Sequence, residues 1–82
     1  MPTILTVFGL RFFFYSAEHE PVHIHVENAD GVAKFEILNG NVTLKSNSGL
    51  KSKDLKLAES LVEENKLNFE YEWVKYFGAK NG

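Results

Sequence analysis

Apolar and polar positions alternate with a period of two through the first half of the chain and of nearer four through the second. Ile4 to Phe8 reads as a short strand, and Leu10 to Ser16 as another. In the latter, Phe12 and Phe14 fall on one face and Arg11, Phe13 and Tyr15 on the other, so both faces carry apolar rings, as in a central strand. Ala17 to Pro21 is a polar break whose proline marks a turn or a strand start. Val22 to Glu27 alternates strictly, with Val22, Ile24 and Val26 opposed to His23, His25 and Glu27. Asn28 to Gly31 is a turn signal, after which Ala33, Phe35 and Ile37 oppose Lys34 and Glu36. Asn39-Gly40 then separates this strand from Val42 to Lys45, and Asn-Gly is the strongest short hairpin signal.

A one-residue slip would bury the histidines, so the two hairpins are registered by requiring their apolar faces to coincide. Val26 then faces Ala33 and Ile24 faces Phe35, while Ile37 faces Val42 and Phe35 faces Leu44. Both registers agree on the core face of the middle strand. The opposite face is expected to carry the rows His23–Glu36–Thr43 and His25–Lys34–Lys45.

Ser46 to Gly49 reads as a loop, with Gly49 too isolated to form a motif. Ser52 is the expected N-cap, with Asp54 in the first turn complementing the helix dipole. Leu55, Ala58, Leu61 and Val62 form a helical stripe ending near Asn65. Lys66 to Phe77 fits either period: Leu67, Phe69, Tyr71 and Trp73 alternate like a strand, while Phe69, Trp73, Tyr76 and Phe77 fit one helix face.

The length of 82 residues means one small domain, 1–82, with a thin core that a homodimer or partner interface would help. Seven Phe, three Tyr and one Trp supply much burial per residue. A net charge of −2 gives no global positive field for nucleic acid. The lack of cysteine excludes disulfides, thiolate metal sites and a Cys nucleophile. Met1 to Tyr15 lacks a basic leader and is broken by Gly9 and Arg11, and no stretch approaches the roughly 20 apolar residues of a membrane span. A cytoplasmic protein is expected.

All three histidines fall within seven positions. On one strand, His23 and His25 project to the same side, about 6.5–7 Å apart. With His19 folding back across Pro21, and a carboxylate from Glu36 or Glu27, they form a candidate site for zinc, nickel or iron. Equally, they can sit on a half-exposed face, hydrogen-bonded across the strands to Glu36, with no cofactor required. Arg11, the only arginine, needs a carboxylate, Glu18 being nearest in sequence, or an anionic ligand. Together His23, His25, Arg11, Lys34 and Tyr15 are the candidates for a metal-free RNA-cleaving or phosphate-handling cluster. Lys45, Lys51, Lys53 and Lys56 read as a solvated basic face, and Trp73 as part of the helix face that covers the sheet.

The run Gly9 to Ser16, followed by Glu18-His19-Glu20-Pro21-Val22-His23-Ile24-His25-Val26, resembles the small prokaryotic domains grouped as domain-of-unknown-function family 4160. Their signature is roughly E-H-x-P-P-H-[IF]-H-V. The likeness continues through Ala33-Lys34-Phe35, Asn47 to Gly49, Glu64-Asn65-Lys66 and Trp73 to Gly78, with Val22 departing where the family commonly has a second proline. That departure loosens the turn that carries His19. The resemblance implies helices at the C-terminus, which resolves Lys66 to Phe77 as helical. It also implies a two-gene cassette with a cognate small protein of family 2442, in the manner of toxin–antitoxin modules, and no established activity.

The expected fold is therefore α+β: an antiparallel β-meander of four to five strands over about 3–46. Two helices, about 52–64 and 66–77, then pack on one face through Leu55, Leu61, Phe69 and Trp73. The leading functional expectation is a small-protein interaction module using the histidine face, with His19, His23, His25 and Glu36 as ligand-binding candidates. The alternatives are a ribonuclease-like enzyme and a histidine-cluster metal domain.

Overall fold

The computed structural model describes residues 3–14 and 21–75. Five strands, β1 (Thr3–Val7), β2 (Leu10–Phe13), β3 (Val22–Glu27), β4 (Val32–Leu38) and β5 (Asn41–Ser48), precede one helix, α1 (Ser52–Trp73). The strands form one antiparallel sheet in sequence order, so the α+β meander is present with all five strands.

The expected hairpin registers hold. Ile24 pairs with Phe35, Val26 with Ala33, Phe35 with Leu44 and Ile37 with Val42. Asn39 and Gly40 both take positive φ, 54° and 80°, as a two-residue primed turn requires. At Asn28 the side-chain Oδ1 accepts from the Asp30 and Gly31 N–H groups, an Asx turn that closes the β3–β4 connection. Leu10, Phe12, Phe14, Val22, Ile24, Val26, Ala33, Phe35 and Ile37 share the buried face, and α1 covers them with Ala58, Val62, Phe69 and Trp73. The Phe12 and Phe69 rings stack at 5.7 Å, and Trp73 meets Phe14 edge-on at 5.1 Å. Leu55 and Leu61, expected as main anchors, are partly buried at the margin of that cluster.

Several expectations are corrected. The helical region is one continuous helix rather than two, because nothing between Lys51 and Trp73 is a breaker. Asn65, read as a stop, donates its Nδ2 to the Leu61 carbonyl one turn back and stays within the helix. Tyr76 and Phe77 lie outside the described residues, which end at 75. The N-cap is Lys51, with no side-chain cap, and Ser52 is the first helical residue.

β1 ends at Val7, and Phe8-Gly9 forms a second two-residue turn with φ of 54° and 77°. Finally, β5 runs on to Ser48 through the segment read as a loop. It does so because Lys45 is an extra residue: Phe35 pairs with Leu44 but Lys34 pairs with Ser46. This bulge turns Asn47 to the core side, opposite Ala33, where its amide accepts from the Leu50 N–H and donates to the Leu50 carbonyl. β1 carries a bulge too, at Ile4, so both edges of the sheet are interrupted by an extra residue.

Candidate functional site

The face of the sheet turned away from α1 carries the chemistry, arranged by the registers as three rows across four strands. The first row is Arg11–Glu27–Val32–Ser48, the second Phe13–His25–Lys34–Ser46 and the third His23–Glu36–Thr43. The third row is as expected. In the second, the β5 bulge replaces Lys45 with Ser46 and removes one cation from the cluster.

In the first row Arg11 is held by Glu27, not by its sequence neighbour Glu18, which lies outside the described residues. Arg11 Nε donates to Glu27 Oε1 at 2.8 Å, and Nη2 donates to the same oxygen. The guanidinium also lies over the Phe13 ring, 4.4 Å from its centroid. Phe13 in turn stacks on His25 at 5.4 Å, with 25° between the planes. Arginine, phenylalanine and histidine thus form a continuous stack running from the first row to the second. Phe13 and His25 are 2% and 7% exposed, so this stack is a small packed layer of its own on the second face.

The third row places the half-buried His23 Nε2 3.8 Å from Glu36 Oε2. That separation is an ion-pair distance and longer than a hydrogen bond. Lys34, half-buried, lies in register with His25 and on the same strand as Glu36.

The structure therefore brings His23, His25, Lys34, Glu36 and Arg11 onto one face, with Arg11 already engaged by Glu27. His19 and Tyr15 lie outside the described residues. Among the described residues no group of three or more His, Asp or Glu side chains converges on a point suited to a metal ion. His23 and Glu36 supply two donors, fewer than a tetrahedral zinc site uses. Local pattern puts Phe13 on a face with Arg11, and Glu27 on a face with the histidines; what it leaves open is their pairing, Arg11 on Glu27 and Phe13 on His25, which only the β2–β3 register supplies.

The basic residues near the start of α1 are exposed, with Lys51 3.9 Å from Asp30. No helix among the described residues is long and apolar enough to cross a membrane. No curated protein and no solved structure matches the chain. A family model does match, over residues 9–74, through every strand from β2 onward and the whole of α1, and the chain belongs to that family, the domain of unknown function DUF4160.

Proposed function

We propose that this domain is a protein-interaction module that binds a cognate small protein, as one member of a two-gene, toxin–antitoxin-like pair in a prokaryotic cytoplasm. The observation that carries the reading is a second apolar stripe, on α1 and its C-cap residue Val74. Leu67, Tyr71 and Val74 recur at i, i+4 and i+7 and are 77%, 63% and 62% exposed, on the side of the helix away from the sheet. The same helix already buries Ala58, Val62, Phe69 and Trp73, so its other stripe has no use within the described fold. Around the stripe, Glu59, Glu63, Glu64, Glu70 and Glu72 outnumber Lys66 and Lys75. The occupant that fits is a protein groove with an apolar floor and a basic rim.

Co-expression with the product of the adjacent gene tests this. A one-to-one complex that survives gel filtration at micromolar concentration, and is lost in Leu67→Lys/Tyr71→Lys, is the expected result. Absence of a complex with the wild-type chain would end the reading.

A second reading rests on the His23–Glu36 pair, a carboxylate-supported imidazole beside Lys34 and His25 that suits acid–base or phosphate-handling work. Glu27 takes up much of the Arg11 charge that a phosphorane would need, and the net charge of −2 repels RNA, which places this reading second. RNA cleavage by the pure protein that disappears in both His23→Ala and His25→Ala would reverse the order.

A further inference from the structure

The two tight hairpin turns share one backbone solution and differ in what they place on it. Asn39-Gly40 and Phe8-Gly9 both begin with a residue at φ 54° followed by a glycine at positive φ. Asparagine tolerates the left-handed region, because its short polar side chain bonds locally. Phenylalanine does not, since its Cβ crowds the following carbonyl and its ring has no such bond to offer. Phe8 is also 72% exposed, so its ring is held in water and is not a member of the core cluster. Two unfavourable features therefore meet at one residue, at a turn where this chain elsewhere uses the residue that avoids both.

The surroundings favour approach by a partner. A side chain built on Gly9 would meet nothing within 4 Å, so the tip of the hairpin stands clear of the other described residues. No charged side chain occurs from Met1 to Leu10, and the whole chain carries −2, which argues against an anionic membrane and for an uncharged apolar pocket. A rigid aromatic on a two-residue turn also loses little conformational freedom when it is captured.

We propose that Phe8 is an anchor that inserts into an apolar pocket of a protein partner, which buries the ring that the free chain holds in water on a strained turn. This rests on the protein-interaction reading above and adds a second contact, at the opposite end of the sheet from Leu67, Tyr71 and Val74. β2 leaves the Phe8-Gly9 turn beside Glu27, whereas Lys66, next to the stripe, reaches the Gly40 carbonyl at the far end of β4.

The test uses the full chain with Phe8→Asn, Phe8→Trp and Leu67→Lys, the adjacent gene's product as the probe, calorimetric titration and thermal melts of the free proteins. Phe8→Asn is expected to melt a few degrees higher than wild type, yet to bind at least ten-fold more weakly, while Phe8→Trp keeps binding and its emission shifts to the blue in the complex. If Phe8→Asn binds like wild type while Leu67→Lys does not, the anchor is wrong and the interaction reading stands. If the wild-type chain does not bind, both fall. A melt lower than wild type shows that the ring is already used within its own fold and overturns the anchor. Two further results would assign Phe8 to another occupant and overturn the protein pocket. One is Phe8-dependent sedimentation with phosphatidylglycerol vesicles, and the other is a wild-type homodimer that Phe8→Asn dissolves.

Discussion

Gly31 and Gly49 back onto one another where the β3–β4 turn meets the loop into α1. A methyl group on Gly31 would lie 1.9 Å from the Ser48 carbonyl oxygen and 2.7 Å from the Gly49 Cα. One on Gly49 would lie 2.3 Å from the Asp30 carbonyl oxygen, at a residue whose φ of +100° already disfavours a side chain. The contact is backbone on backbone, and hydrogen bonds brace it on both sides. Asn28 Nδ2 donates to Asp54 Oδ2 at 3.4 Å, and the Asn47 amide clamps Leu50. This knot sets where α1 begins and hence how it lies across the sheet.

Gly31→Ala must separate these backbones, and is expected to cost upwards of ~2 kcal/mol, at the severe end for a single substitution. Gly9→Ala has open space and meets only the penalty of its positive φ, so it should cost about 1 kcal/mol. Urea titration of the two variants measures the difference. Equal midpoints would show that the close approach at Gly31 is not a feature of the folded protein.

Arg11 and Glu27 are 34% and 40% exposed, so water screens their attraction and the pair is worth little as charge alone. Stacking on Phe13 adds the contribution that lysine cannot reproduce. A double-mutant cycle of Arg11→Ala with Glu27→Ala is expected to return a coupling of about 0.5–1 kcal/mol. Arg11→Lys should recover less than half of the Arg11→Ala loss. Full recovery by lysine would mean that the stack contributes nothing.

Lys66→Pro separates one helix from two. At the first position of a second helix proline is well tolerated, whereas inside a continuous helix it removes a hydrogen bond and clashes, costing ~3 kcal/mol or more. The side chain of Lys66 also donates to the Gly40 carbonyl at 2.7 Å, so Lys66→Ala is the reference. A large loss of helical circular dichroism and of stability beyond that reference is expected. A proline variant that melts with the alanine one would restore the break at residue 65.

Metal content decides the remaining histidine question. Among the described residues His23 and Glu36 supply two donors, and His25 is stacked against Phe13. Protein purified without a tag is therefore expected to carry sub-stoichiometric zinc, nickel or iron, and chelator is expected to leave its melting temperature unchanged. Stoichiometric metal that is lost in His23→Ala/His25→Ala would make the histidine segment a metal site instead.

Much of the sheet is legible in local pattern. Strict alternation in Val22–Glu27 and Val32–Leu38, with Asn39-Gly40 between strands, leaves one register that buries Ile24, Val26, Phe35 and Ile37 together. That register alone puts His23 beside Glu36. A helical period marks Ala58 and Val62 as one face, whereas Phe69 and Trp73 fit a strand or a helix by pattern, and the family resemblance is what makes them helical.

Other features depend on atoms far apart in the chain. Lys45 alternates correctly with its neighbours, and becomes a bulge only because Asn47 must face the loop at Leu50. Asn65 looks like a stop, yet the preceding turn supplies a carbonyl for its amide. The partner of Arg11 is fixed by the β2–β3 register, and the glycine at 49 acquires a purpose only from Gly31 across the fold. Composition and alternation thus determined the fold class, the core face and the row His23–Glu36. Which charges are already paired, where the helix runs and which aromatics are left outside were decided by tertiary packing, since each depends on which distant backbone or side chain arrives there.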